Sequence, residues 1–399
     1  KRLEDAGAHI LAIKDMAGLL KPMQAGILVS ELKKAIHIPI HLHTHDTSSI
    51  QSATYLKAIE AGVDVIDVAL ASMSGLTSQP NFNSIVAMMK GHPRELPVNL
   101  HKLNELSNYW EDVREIYYPF ESQLKAGTAE VFDHEIPGGQ YSNLRPQARS
   151  LGLEDQFTNI KKNYVVVNNL FGDIVKVTPS SKVVGDMALF MTANDYTEKD
   201  IFEKGESISF PDSVIGLFRG DLGQTPGGFP QTLQKLILKN EKPFTDRPNA
   251  HLQPLNLNAA WETFEAKYGK QYTRLDLLSA LFYPKVFDEY HQFKTAFGEV
   301  YYVPSPVFFY GLQPNEETLI ELAPGKSILI KFLHMSGVDE NGYKQIIFKL
   351  NGQTRSIFAK DRSFTSTKPT HRKVSAANEI GAPLQGKLSK ILVKTGDKV

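Results

Sequence analysis

Hydrophobic and polar positions along the first eighty residues switch between two periods. Short apolar runs from Ile10 to Lys14, Ile38 to His43 and Val65 to Leu70 have strand length, whereas Pro22 to Lys34 and Ser48 to Ala61 space their apolar residues three and four apart. The pattern predicts a βαβαβ order, hence parallel strands joined by right-handed crossovers. Each run ends in polar residues: Lys14 and Asp15 after the first, His43 and His45 at the second, and Ser72, Ser74 and Thr77 beyond the third. The C-terminal ends of parallel strands are where α/β folds assemble their sites. Three such units fit a closed barrel and a doubly wound sheet equally well.

From Asn81 to about Leu238 the pattern is helical, with Leu103 to Glu121 a long amphipathic stretch rich in aromatic residues. Thr178-Pro179 predicts a helix start before the run Val183 to Ala193, with Thr178 as N-cap and Pro179 at the first helical position. The glycine-rich run Gly220 to Gly228 lacks phosphate-loop spacing and reads as a turn. His134 and Glu135, just before Pro137-Gly138-Gly139, read as a loop contact. Helical spacing returns from Leu255 to Phe297 and then gives way to strands at Tyr301 to Val303, Ser327 to Leu333, Gln345 to Leu350 and Thr354 to Phe358. Leu350-Asn351-Gly352-Gln353 is a type I′ hairpin signature. A polar linker, Thr365 to Asn378, precedes a further apolar segment at Ile380.

Composition narrows the function classes. A chain of 399 residues can bury several cores, and its 44 basic and 44 acidic residues leave no charge excess to attract nucleic acid or an anionic membrane. There is no cysteine, so disulfides, thiolate metal sites and a cysteine nucleophile are excluded, which suits a cytoplasmic location. No apolar run is long enough to span a bilayer. Lys1 to Gly7 reads as the tail of a glycine-capped helix, so the sequence is expected to start inside a larger fold.

Candidate chemistry gathers at His41-Leu42-His43-Thr44-His45. Alternate residues of a strand share a face, so the three imidazoles point the same way, and a neighbouring strand ends in Lys14. Imidazole suits a divalent ion such as zinc, cobalt or manganese. An ammonium beside such an ion would be repelled, so Lys14 is either neutral, converted to an anionic carbamate that ligates through oxygen, or simply an exposed strand-end lysine. On that last reading the histidines are hydrogen-bonded residues of the core or rim.

Six strings carry a more specific signal: Ile13 to Leu20, His41 to Thr47, Ser74 to Pro80, His134 to Tyr141, Val177 to Lys182, and Gly227 to Pro230. The first three resemble the last three barrel strands of biotin-dependent carboxyltransferases, and the whole sequence most resembles the pyruvate carboxylase family. The resemblance implies an α/β fold: the C-terminal part of a TIM-type barrel over residues 1–95 and a helical funnel over 96–304. A β-rich tetramerisation module over 305–368 and the start of a biotinyl carrier domain over 376–399 would follow. Gln385 stands where that carrier strand usually has proline, and Val399 precedes the lysine that would carry biotin.

The implied activity is ATP-dependent carboxylation of pyruvate to oxaloacetate by a homotetramer, with this segment transferring the carboxyl group from carboxybiotin. By the same resemblance His43 and His45 are metal ligands and Lys14, as its carbamate, is a third. Thr178 would carry a proton between pyruvate and biotin, and Ser181 and Lys182 would hold the biotin ring. The implied cofactors are biotin and a divalent metal (manganese, zinc or cobalt), with ATP and magnesium at a domain outside this chain. A further aspartate ligand, an arginine for pyruvate and a glutamine belong to early barrel strands that this sequence does not include. Three strands do not close a barrel, so the segment is expected to need that other half for catalysis. The rival implications are an oxaloacetate decarboxylase α subunit, a transcarboxylase subunit, or an assembly scaffold without catalysis.

Overall fold

The alternation at Ile40–Thr44 decides how the first layer is built. Ile40, Leu42 and Thr44 are fully buried on one face of this strand, while His41 and His43 lie half-buried on the other. In the computed structural model it is the centre of a parallel three-stranded sheet, β1 (Leu11–Asp15), β2 (Ile40–Thr44) and β3 (Val65–Ile66). The crossovers are α1 (Pro22–Ala35), opened by a proline in its first turn, and α2 (Gln51–Glu60). Ala25 and Val29 of α1 and Tyr55, Ala58 and Ile59 of α2 pack with Ile40 and Leu42 into one apolar core. The structure describes residues 1–365, 390, 392–394 and 397, so the linker expected beyond Thr365 and the carrier strand expected from Ile380 to Gly386 lie outside the described residues.

β3 is shorter than its apolar run predicts. Pairing stops after Leu42↔Ile66 and one further hydrogen bond from Asp67 N–H to the Leu42 carbonyl (3.2 Å). The Asp67 carbonyl instead accepts the Tyr55 hydroxyl (2.6 Å), which takes it out of any ladder. The chain then turns through a short 3-10 segment, Ala71–Met73.

Two compact units divide the chain at Lys1–Asn258 and Ala259–Val399. In the first, the sheet is followed by α3 (Leu100–Tyr117), α4 (Gly138–Ser150), α5 (Phe157–Leu170), α6 (Ser180–Ala193), α7 (Asp212–Arg219) and α8 (Gln231–Leu238). Leu144, Ile160, Tyr164, Val184, Met187, Met191 and Phe218 form a second core among these helices. Backbone hydrogen bonds fasten this layer to the sheet's C-terminal end: Thr128 N–H to the Thr47 carbonyl (2.8 Å) and Gly138 N–H to the Met16 carbonyl (2.8 Å). The run from Gly220 to Gly228 is a turn, with glycines at positive φ at 220, 223, 227 and 228.

Thr178 does not cap α6. The helix begins at Ser180 with Pro179 as N-cap, after a cis Thr178–Pro179 peptide. The Ser180 hydroxyl, which bonds to the carbonyls of Val175 and Val177 (2.6 Å each), ties the helix start to the preceding loop instead.

In the second unit, helices Leu257–Tyr268, Arg274–Phe282 and Pro284–Phe297 enclose an aromatic cluster of Phe264, Tyr268, Tyr272 and Phe287 with Leu277. An antiparallel meander follows, β4 (Glu317–Ala323), β5 (Lys326–Met335), β6 (Tyr343–Leu350) and β7 (Gln353–Lys360), in that order. Asn351 (φ 47°) and Gly352 (φ 84°) supply the two left-handed residues that a type I′ turn requires. The expected strand at Tyr301 to Val303 is a 3-10 turn, Val300–Tyr302, because the chain reverses at Gly298 (φ 74°) and enters another helix after Pro304. β4 is not among the strands expected: its burial alternates strictly, but Leu319 stands on the exposed face, 61% exposed, so the strand carries no apolar–polar alternation in sequence. Among the described residues no helix is long and apolar enough to cross a membrane.

Tyr55 is fully buried beneath the sheet, where its hydroxyl accepts Thr44 N–H (3.2 Å) as well as donating to Asp67. Tyr55→Phe removes the hydroxyl partner of a buried N–H and of a half-buried carbonyl, at a cost of about 1–3 kcal/mol. The expected outcome is faster amide hydrogen exchange across β2 in the full-length protein. Unaltered exchange there would show that the hydroxyl does not hold the strand.

Candidate active site

The loop after β1 is shaped by Asp15. Its carboxylate accepts Leu19 N–H (2.8 Å), Leu20 N–H (2.9 Å) and the Thr44 hydroxyl (2.8 Å), so it closes the turn and locks β1 to β2 at their ends. Gly18, at φ 74° and in close approach to the His45 carbonyl, occupies a place no other residue fits without strain. Lys14 pairs in register with His43 and is exposed on the same face of the sheet.

Each histidine at the end of β2 has one ring nitrogen committed. His43 Nδ1 donates to Asp67 Oδ2 (2.7 Å), and His41 Nε2 shares the same carboxylate through Oδ1 (2.8 Å). His45 Nδ1 donates to the Thr77 carbonyl (2.6 Å). In the neutral rings of His43 and His45 the proton therefore sits on Nδ1 and the lone pair on Nε2. These two Nε2 atoms face each other at 3.2 Å. Burial pushes the His45 imidazolium below its ordinary pKa, and the His43 and Lys14 charges push the same way against the Thr77 carbonyl. For Asp67 burial acts upward, yet hydrogen bonds from His43 and His41 hold the carboxyl below its usual range.

Asp67 is a site residue that the sequence pattern does not single out. Its only signal is position: like Asp15 it is a carboxylate at the end of an apolar strand run, Val63-Asp64-Val65-Ile66-Asp67. Thr77, expected among the polar residues past the third strand, contributes its backbone carbonyl rather than its hydroxyl.

A cleft of about 330 Å3 opens beside this cluster. Lys14, Asp15, Met16, Ala17 and Leu19 line one side, Glu135 and Pro137 another, and Val175, Lys176 and Val177 the third. Lys176 pairs with Glu135 (3.0 Å) across it. Thr178 follows the last lining residue, is exposed and has no hydrogen bond among the described residues. Ser181 is buried in α6, whereas Lys182 points to solvent and pairs with Asp186 (2.6 Å). The structure thus brings together His43, His45 and Lys14, and it sets Ser181 and Lys182 on different sides of their helix. His134 ends a short helix, Val131–His134: its Nδ1 accepts Ile136 N–H (3.0 Å), its ring stacks on Tyr141, and burial pushes it down to about 4, while Glu135, read with it as a loop contact, lines the cleft.

The donor set fits a divalent cation in part. Two imidazole lone pairs 3.2 Å apart are spaced like neighbouring ligands of one ion at about 2.1 Å. Both rings also carry the outer hydrogen bonds that fix metal-ligating histidines. Among the described residues no three His, Cys, Asp or Glu side chains converge as a ligand set.

Comparison with known proteins places this geometry. Residues 131–331 match the family model described as conserved carboxylase domain, and residues 1–109 match the HMGL-like model. Pyruvate carboxylase of Bacillus subtilis is 47% identical over 100% of this chain and 35% of its own length; the human mitochondrial pyruvate carboxylase is 42% identical over 100% and 34%. The chain therefore spans about a third of the length of these curated relatives. The carboxyl transferase domain of Rhizobium etli pyruvate carboxylase, solved with pyruvate and biocytin, superposes with a TM-score of 0.83 at 47% identity, covering 91% of this chain and 61% of that one. The α/β fold is that of this domain, and the chain belongs to the pyruvate carboxylase family, within its carboxyltransferase region.

Proposed function

We propose that this segment forms the C-terminal part of the carboxyltransferase barrel and the adjoining helical layer of a pyruvate carboxylase, and transfers a carboxyl group from carboxybiotin to pyruvate. The observation that carries the reading is the facing pair of His43 and His45 Nε2 atoms, beside Lys14 and at the edge of a cleft bordered by the loop that leads to Thr178. Bound to both imidazoles, a divalent ion (manganese, zinc or cobalt) would polarise the pyruvate carbonyl; carboxybiotin would supply carbon dioxide by breaking its N–C bond, which leaves the ureido nitrogen basic, and the methyl carbon of the pyruvate enolate would bond to that carbon dioxide to give oxaloacetate.

The protein's own residues do the rest. Asp67 and the Thr77 carbonyl hold the two imidazoles in the tautomer that exposes Nε2. Lys14 Nζ, as a carbamate, supplies the third ligand and removes an ammonium that would oppose a cation. A hydroxyl both donates and accepts, so Thr178 Oγ1 takes the pyruvate methyl proton as it hands its own to the biotin nitrogen. Ser181 and Lys182 are the proposed contacts to the biotin ring. Ser181 requires α6 to present its hydroxyl from a buried position, and Lys182 requires release of Asp186. The remaining strands of the barrel, the ATP- and magnesium-dependent step, the tetramer and the biotinyl carrier are assigned to the full-length protein. A cytoplasmic location is proposed with it. The antiparallel sheet β4 to β7 is the proposed tetramerisation module.

Three outcomes check the proposal. Full-length protein incubated with ATP, bicarbonate and pyruvate is expected to form oxaloacetate. Formation from oxaloacetate of pyruvate alone, with no ATP-dependent forward reaction, would favour a decarboxylase subunit. Thr178→Ala is expected to retain metal content and thermal stability while losing carboxyl transfer by at least about 100-fold, the usual worth of a proton carrier; substantial remaining turnover would reassign that role. His43→Ala is expected to lower bound metal measured by atomic emission, and wild-type metal content in that variant would mean the ligands lie elsewhere.

A further inference from the structure

We infer that Gly138, the first residue of α4, is a positioning residue for His45: the helix must start with glycine because no side chain fits between it and the imidazole. The inference deepens the metal-site reading above and takes its functional meaning from it, while the steric claim stands on geometry alone. The Gly138 N–H bond to the Met16 carbonyl (2.8 Å) fastens the helix start over the ends of β1 and β2. A Cβ at this position would lie 2.8 Å from His45 Nδ1, 3.0 Å from His45 Cγ and 3.0 Å from the Thr77 carbonyl oxygen. It would press on both ends of the hydrogen bond that fixes the His45 tautomer, well inside the ordinary separation of about 3.5 Å or more between non-bonded heavy atoms.

The ring has little room to yield. Its Nδ1 is held at 2.6 Å from the Thr77 oxygen and its Nε2 faces His43 Nε2 at 3.2 Å, so a shift away from a new methyl group loses one relation or the other. Local helix energetics point the opposite way. Gly138 is outside the positive-φ residues, and alanine is the better helix former, so nothing in the backbone asks for glycine here. A methyl group at Gly139, next in the same helix, would stand in open space, with no atom within 4 Å. Alanine at the two adjacent positions therefore separates an effect on the helix from an effect on the imidazole.

The test compares full-length wild type, Gly138→Ala and Gly139→Ala, each stripped of metal and titrated with Co2+, with crystal structures of all three. Wild type and Gly139→Ala are expected to bind Co2+ alike. Gly138→Ala is expected to bind it about 10- to 100-fold more weakly, with an altered visible Co2+ spectrum and the His45 Nδ1 moved beyond hydrogen-bond reach of Thr77. Unchanged affinity with an unmoved ring overturns the inference. If wild type binds no Co2+, the metal reading fails, and the His45 position in the Gly138→Ala crystal alone decides the steric claim. Should Gly138→Ala fail to fold, the double variant Gly138→Ala, His45→Ala removes the two contacts with the ring and leaves the Thr77 carbonyl at 3.0 Å: recovery of folded protein supports the inference, and persistent misfolding overturns it by placing the obstacle at the backbone rather than at the imidazole.

Discussion

Two hydrogen bonds donated by Nδ1–H groups set the chemistry of this segment. Asp67 accepts the His43 Nδ1–H and the Thr77 carbonyl accepts that of His45, so each neutral ring offers its Nε2 lone pair on the same side, 3.2 Å from the other. Neither partner is free to move. The Asp67 backbone is pinned by the buried Tyr55 hydroxyl, and Thr77 lies in a loop whose Gly75 N–H and carbonyl bond back to Gln79 and Ser78. Rigid outer partners of this kind make imidazoles into directed ligands rather than surface groups.

The helical layer contributes to the site as much as the sheet does. Gly138 and Thr128 dock by backbone hydrogen bonds onto Met16 and Thr47, and the loop 175–177 completes the cleft that begins at Lys14. These contacts join positions more than eighty residues apart. They rest on main-chain groups and on the absence of a side chain, which makes them insensitive to salt. Exposed pairs such as Lys182–Asp186 contribute little by comparison.

Much of the first layer is legible in the sequence because the physics is local. A period of two at Ile40–Thr44 puts the imidazoles on one face, and Pro22 and Asn351-Gly352 mark a helix start and a hairpin through their own allowed dihedrals. The expected Thr178 cap fails for a reason of the same scale. Thr-Pro-Ser-Ser offers consecutive places for a helix to start, and the bonds from the Ser180 hydroxyl to Val175 and Val177 select the later one. The third strand falls short of its expected length because apolar character persists past Ile66, while its carbonyl partner is diverted to a side chain of α2.

The sequence by itself determined the element types of the first layer, the sheet face that carries Lys14, His43 and His45, and, through specific strings, the family. Tertiary structure alone decided that Asp67 and Thr77 are the partners of those histidines, that Gly138 lies against one of them, and that the loop before Thr178 borders the cleft. The physical reason is that strand and helix periods follow from neighbours along the chain. Which carboxylate, carbonyl or glycine meets a given ring depends on where separate layers dock, and spacing in sequence carries no record of that distance.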